Sequence, residues 1–158
     1  MLAMVGAFAA EFCLPDTDGT RRHLREFHEA GPTILLFISR VEQWRPRWQL
    51  WSLLRNYDGF VEHNTEIVIV CGSLLPELRI FQIRGGFPFV FLSDPKGEVA
   101  AAYGLLGWRD INRNFWPPSS PAATLLLDRE GRVRFLHCSR WSPRPGARRL
   151  LKRLQALQ

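Results

Sequence analysis

The sequence predicts an α/β domain built on a central mixed β-sheet with helices on both faces, and three observations carry that prediction. Short apolar, β-branched runs recur along the chain, as strands buried on both faces require. Segments of helical period fall between them. The last two apolar runs follow each other across a turn, which adds antiparallel strands to an otherwise parallel order.

Taken in order, "PTILLFIS" at 32–39 is the first buried strand. After it, Leu50, Leu53, Leu54, Tyr57 and Val61 mark one face of a helix, and Pro46 suits its first turn. "EIVIVCG" at 66–72 is the second strand, followed by a helix over 76–84 that Ser73 can cap and that Gly85 and Gly86 end. "PFVFLSD" is a third strand, and "PKGEVAAAYG" a short helix closed by Gly104. "LLGWRDINRNFWPPSSPA" is too long and too rich in proline and aromatic residues for a simple turn. "ATLLLDREGRVRFLHCS" predicts a hairpin across "DREG". A terminal amphipathic helix ends the chain, with Leu150, Leu151, Leu154 and Leu157 on one face and Arg148, Arg149, Lys152 and Arg153 on the other.

The 158 residues suit a single domain over 1–158, with no internal repeat or boundary. With 46% hydrophobic and 23% charged residues, the composition excludes disordered and membrane-spanning classes. The opening "MLAMVGAFAA" lacks a basic leader and falls short of the roughly 20 apolar residues needed to span a bilayer, so a cytoplasmic protein is expected. Cys13, Cys71 and Cys138 lie far apart, with no Cys-x-x-Cys pair and no metal-ligand spacing. Neither a metal nor another cofactor is therefore expected, and each cysteine reads as a small buried apolar residue. The net charge of +6 invites a nucleic-acid reading, but much of the excess lies on the terminal helix and no nucleic-acid motif accompanies it. A solvated basic face is the expectation, with neither nucleic acid nor membrane as partner.

Order and motifs together resemble a known family. "GAFAAEFCLPDTDGTRRHLREF" is similar to the opening of peroxiredoxins of the alkyl hydroperoxide reductase and thiol-specific antioxidant type, where a short strand turns through Asp-Gly into a second. "FPFVFLSDPKGEVAAAYG" at 87–104 resembles that family's central run, and "TLLLDREGRVR" at 124–134 its closing hairpin. The resemblance covers almost the whole length and implies a thioredoxin-like fold.

It also implies a peroxidatic cysteine in the first turn of the helix after the central strand, where backbone N–H groups and the helix dipole favour a thiolate. Many relatives carry Trp-Cys-Pro-x-Cys there. This chain has "WRPRW": Trp44 and Pro46 are kept, while Arg45 and Trp48 stand at the cysteine positions, and residues 40–60 contain no cysteine at all. Relatives often place a peroxide-polarising arginine six residues before the hairpin aspartate, here Asp128, and this chain has Ala122. Pro121 lies one place earlier than the family's strand-opening proline, which leaves its cis or trans state open.

Two function classes follow. The first is a peroxiredoxin-like protein without peroxidase activity that acts by binding or assembly. The second is a thiol-dependent oxidoreductase using a displaced cysteine, for which Cys71 is the candidate because it closes a strand just before a helix start. Cys138 follows His137, but neighbours on a strand point to opposite faces, so they form no dyad. His23, His28 and His63 read as ordinary surface residues. Arg45 at a helix N-terminus, with Arg40 and Arg47 nearby, either holds a small anion or is a solvated replacement. Trp48 and Trp51 lie opposite the Leu50 and Leu53 stripe on a helical wheel. Either a second copy of the chain covers them, giving a homo-oligomer such as a dimer, or the loop carrying Trp108 and Trp116 does, giving a monomer; an external partner ranks third.

Overall fold

The computed structural model describes residues 3–41, 44–106, 122–139 and 144–157, apart from the side chains of 44–47 and 139. Strands β3 (Thr33–Ile38), β4 (Glu66–Cys71), β5 (Val90–Ser93), β6 (Ala122–Leu127) and β7 (Val133–Ser139) form one sheet in the order β5-β4-β3-β6-β7. β3 runs parallel to β4 and β4 to β5, while β6 is antiparallel to both β3 and β7. A separate hairpin pairs β1 (Cys13–Pro15) with β2 (Arg21–His23). Its turn is held by Asp16 Oδ1, which accepts the N–H groups of Asp18 and Thr20, and Gly19 supplies the positive φ of 81° that the turn needs.

The period of two along each strand divides the core between the two faces of the sheet. Ile34, Leu36 and Ile38 of β3, with Ile67, Ile69 and Cys71 of β4, pack beneath α2 (Trp44–Arg55), α3 (Tyr57–Glu62), α4 (Leu75–Gly85) and α6 (Ala147–Gln155). Leu35, Phe37, Val68 and Val70 face the other way, against Leu24 and Phe27 of α1 (Leu24–Ala30) and Ala100 of α5 (Glu98–Ala102). Since both faces are covered, every residue of β3 is buried, and this is why the strand reads as an unbroken apolar run.

Three expectations need correction. The stripe through Leu50 and Leu53 does not continue to Val61, which is 52% exposed, because Asn56 (φ −113°, ψ 20°) interrupts the helix and α3 restarts out of phase, burying Phe60 instead. Ser73 does not cap α4, whose cap position is Leu74. Ser73 is buried, its Oγ accepts the N–H of Val41 at 3.2 Å, and its carbonyl accepts the hydroxyl of Ser93 at 2.7 Å, so this serine ties strand ends together. Third, α1 is a helix where no period was legible, since seven residues give less than two full turns of pattern. The remaining elements follow the reading: Gly86 ends α4 in the left-handed region (φ 61°), and the "DREG" hairpin joins β6 to β7. The long Trp108 to Trp116 connection and Pro121 lie outside the described residues.

Candidate functional site

β3 delivers the chain to one end of the sheet. There Ser39 O accepts the N–H of Gly72 at 2.8 Å, Val41 is held by Ser73, and α2 begins at Trp44. The first turn of α2, which carries Trp44, Arg45, Pro46 and Arg47, therefore stands just beyond the carboxyl end of the central strand, where open α/β sheets place ligands. The side chains of these four residues lie outside the described ones. Arg40, half-buried, sits between β3 and that turn.

Below the first turn, α2 is fixed by its buried face. Leu50 and Leu53 are fully buried, and Gln49 beside them is 1% exposed. Gln49 Nε2 donates to Thr124 Oγ1 on β6 and to the carbonyl of Pro145, both at 2.9 Å. One turn later, Ser52 Oγ accepts the N–H of Ala147 at 2.9 Å, at the start of α6. Gly146 permits this close approach: a Cβ there would come within 3.1 Å of Ser52 Oγ and 3.3 Å of the Trp48 ring. Gln49 has no part in the sequence reading, although the signal is present, since it stands four residues before Leu53 on the same helical face.

The opposite face of α2 is open. Trp48 is 58% and Trp51 47% exposed. Trp51 meets the Phe87 ring edge-on at a centroid distance of 5.7 Å and forms one wall of a groove of about 590 Å³ between α2 and α4. Val41, Ile80, Phe81 and Phe87 supply the apolar lining, and Glu77 and Arg84 the charged one. A second hollow, of about 510 Å³, lies on the other side of Trp51, against Trp48, Ser52 and Arg55. Exposed Leu74, Ile80 and Ile83 extend the apolar character along α4.

The three cysteines form no disulfide and lie on three different strands. Cys71 pairs with Ile38 across the β3–β4 ladder, so its backbone is at the site's end of the sheet, but its side chain is wholly buried in the core beneath the helices. Cys13 is half-buried on β1. Cys138 is exposed on β7, and partial burial pushes its thiol upward, away from the reactive thiolate. Ala122, the first residue of β6, precedes the Phe37↔Ala123 pair and so lies at the same sheet end as the first turn of α2. Strand alternation with Thr124 and Leu126 puts its side chain on the face that α2 covers. His23 N donates to Glu26 at the start of α1, while His28 and His63 bond the carbonyls of Arg129 and Gly59; these are structural contacts. Among the described residues no group of three His, Cys, Asp or Glu could hold a metal ion.

Comparison with known proteins places this geometry. Residues 5–136 match the AhpC/TSA family. Peroxiredoxin Q from Oryza sativa subsp. japonica, a chloroplastic protein, is 24% identical over 152 residues, covering 96% of this chain and 67% of its own length. The peroxiredoxin Q of Suaeda salsa is likewise 24% identical, with 68% of its length covered. Among solved structures, peroxidoxin BcpB from Mycobacterium tuberculosis superposes with a TM-score of 0.87 over 99% of both chains at 24% identity. AhpC from the same organism gives 0.82 over 100% of this chain and 94% of its own, at 18% identity. The shared fold is thioredoxin-like, with a mixed sheet and helices on both faces.

Proposed function

Because the chain belongs to the AhpC/TSA family, we propose that it is a peroxiredoxin-like protein which has lost peroxide reduction and acts by binding or assembly. One observation carries the reading: the first turn of α2, the position that favours a thiolate, holds Arg45, and no cysteine occurs between residues 40 and 60. Ala122 supports it, because an alanine offers no donor to polarise a peroxide at that end of the sheet. Without a nucleophile, the N–H groups and dipole of the α2 terminus suit a small anion, with Arg40, Arg45 and Arg47 supplying positive charge. Trp48 and Trp51 beside the apolar groove suit a second copy of the chain, in a homo-oligomer such as a dimer. The expectation of a cytoplasmic protein rests on composition alone. No helix among the described residues is long and apolar enough to cross a membrane, and the plant relatives are named chloroplastic.

The second reading, a thiol-dependent oxidoreductase working through Cys71, draws support from the position of that residue beside Ile38, at the same end of the sheet. Its complete burial weighs against it, since an attacking sulfur must meet peroxide. Peroxide consumption with dithiothreitol or thioredoxin as donor separates the two. Background turnover by the wild type, unchanged in Cys71→Ser, is expected; fast turnover that the Cys71→Ser exchange abolishes would establish the second reading in place of the first.

A further inference from the structure

Charge and apolar surface follow a fixed order along the groove between α2 and α4. Glu77, Ile80, Phe81 and Arg84 line it from the first turn of α4 to the last, so an apolar stretch is bounded by a carboxylate at one end and a guanidinium at the other. Seven residues make nearly two full turns of helix, which puts both charges on the groove side, about 10 Å apart along the axis. Both residues are exposed. The ion pairs among the described residues join Arg22 to Asp16 and Glu26, and Arg134 to Asp128, so neither Glu77 nor Arg84 has a partner of opposite charge there. The floor between them is fixed. A Cβ on Gly85 would collide with the Phe87 ring, so this glycine lets the ring lie against the end of α4. Phe87 stacks on Phe81 at a centroid distance of 5.2 Å and on Phe89 at 5.7 Å, and Trp51 closes the far wall edge-on.

We propose that this groove binds a short peptide with free ends and an apolar middle, its ammonium at Glu77 and its carboxylate at Arg84. An extended chain advances about 3.3–3.6 Å per residue, so a tripeptide spans the interval between the two charges. The groove, of about 590 Å³, falls within the range of roughly 300–1,000 Å³ that small ligands occupy. A central apolar side chain lies over Ile80 and against Trp51, both of which are half exposed and gain by being covered. Because Phe81 and Phe87 are held by their own stacking, little side-chain order has to be created when the ligand arrives. A fatty acid is a poorer match: its carboxylate suits Arg84, but its chain runs to Glu77 and sets that charge against apolar atoms. The peptide needs only the α4 side of Trp51, and the side toward Trp48 remains for a second copy of the chain, so this site and the assembly reading stand or fall separately.

The test is an NMR titration of the full chain with the tripeptide Ala-Phe-Ala, followed at the Trp51 indole N–H. It is set against the same peptide acetylated at its amine and, separately, amidated at its carboxyl. The free peptide is expected to shift the Trp51 signal saturably. Each block should weaken binding about two- to fivefold, the worth of one exposed ion pair. Glu77→Gln should make binding indifferent to acetylation and leave the effect of amidation, and Arg84→Gln should do the reverse, a pattern that general loss of structure cannot imitate. Both positions are exposed, and circular dichroism checks that the variants fold. Equal binding of free and blocked peptides, a block effect that survives its matching variant, or the absence of a saturable shift would overturn the proposal. So would dimerisation that Glu77→Arg abolishes and a further Arg84→Glu exchange restores, since α4 of a second copy would then fill the groove.

Discussion

Gln49 is the residue on which the position of α2 turns. Its amide joins three pieces of chain that are distant in sequence, through Thr124 on β6 and the carbonyl of Pro145 just before α6. Buried polar groups that lose a partner cost about 1–3 kcal/mol, because water cannot replace it. Gln49→Leu keeps the size and apolar contacts but leaves the Thr124 hydroxyl and the Pro145 carbonyl without this donor. A loss of about 1–3 kcal/mol in urea unfolding is expected for that variant. A change within about 0.5 kcal/mol, the range of ordinary surface substitutions, would mean that water or a neighbouring group takes over. Arg45 raises the opposite kind of question at the same scale: in the proposed reading it takes the place of a nucleophile in the first turn of α2.

At the level of the element, α2 has two faces with separate tasks. One is sealed by Leu50, Leu53 and Gln49; the other offers two large indoles. Leaving the indoles in water forgoes roughly 25 cal/mol for each Å² of apolar surface that could be buried, so a partner that covers them gains affinity. Trp48→Glu together with Trp51→Glu places two like charges on the open face without touching the buried one. Sedimentation at matched concentration should show the wild type as an oligomer and the double variant as a monomer. A wild type that stays monomeric at high concentration removes assembly from the reading. Circular dichroism should be nearly unchanged, because neither ring belongs to the core beneath the helices.

Across the whole molecule, one buried carboxyl couples folding to pH. Asp94 follows β5, is 3% exposed, and has its carboxyl pushed up to about 6 by burial, even though the N–H groups of Val99 and Ala100 donate to it at 3.1 and 3.0 Å. In the unfolded chain an aspartate titrates near about 3.9. The folded state thus holds the proton more tightly, so the contribution of Asp94 is complete below about pH 4 and is lost as pH rises through 6. Asp94→Asn lacks this titration. The stability of the wild type relative to Asp94→Asn should fall by up to about 3 kcal/mol between pH 4 and 7, then level off. A difference that stays flat across this range would show that the two backbone donors outweigh burial.

Much of this protein was legible from residues alone, because its main signals are local. Buried strands such as β3 and β4 announce themselves as unbroken apolar runs, the "DREG" turn joins two strands that are adjacent in sequence, and the absence of any cysteine from residues 40–60 is a matter of identity rather than geometry. What tertiary structure decided depends on contacts between distant segments. The break at Asn56 reassigns Val61 to solvent and Phe60 to the core, Ser73 serves the Val41 loop in place of α4, and a helix appears at Leu24–Ala30 where seven residues could not display a period. The same holds for the basic C-terminus. Its charge and amphipathic pattern are plain in the sequence, but the stacking of Arg149 and Arg153 on the Phe135 ring exists only because α6 packs across the edge strand β7, and no spacing along one segment encodes how two segments meet.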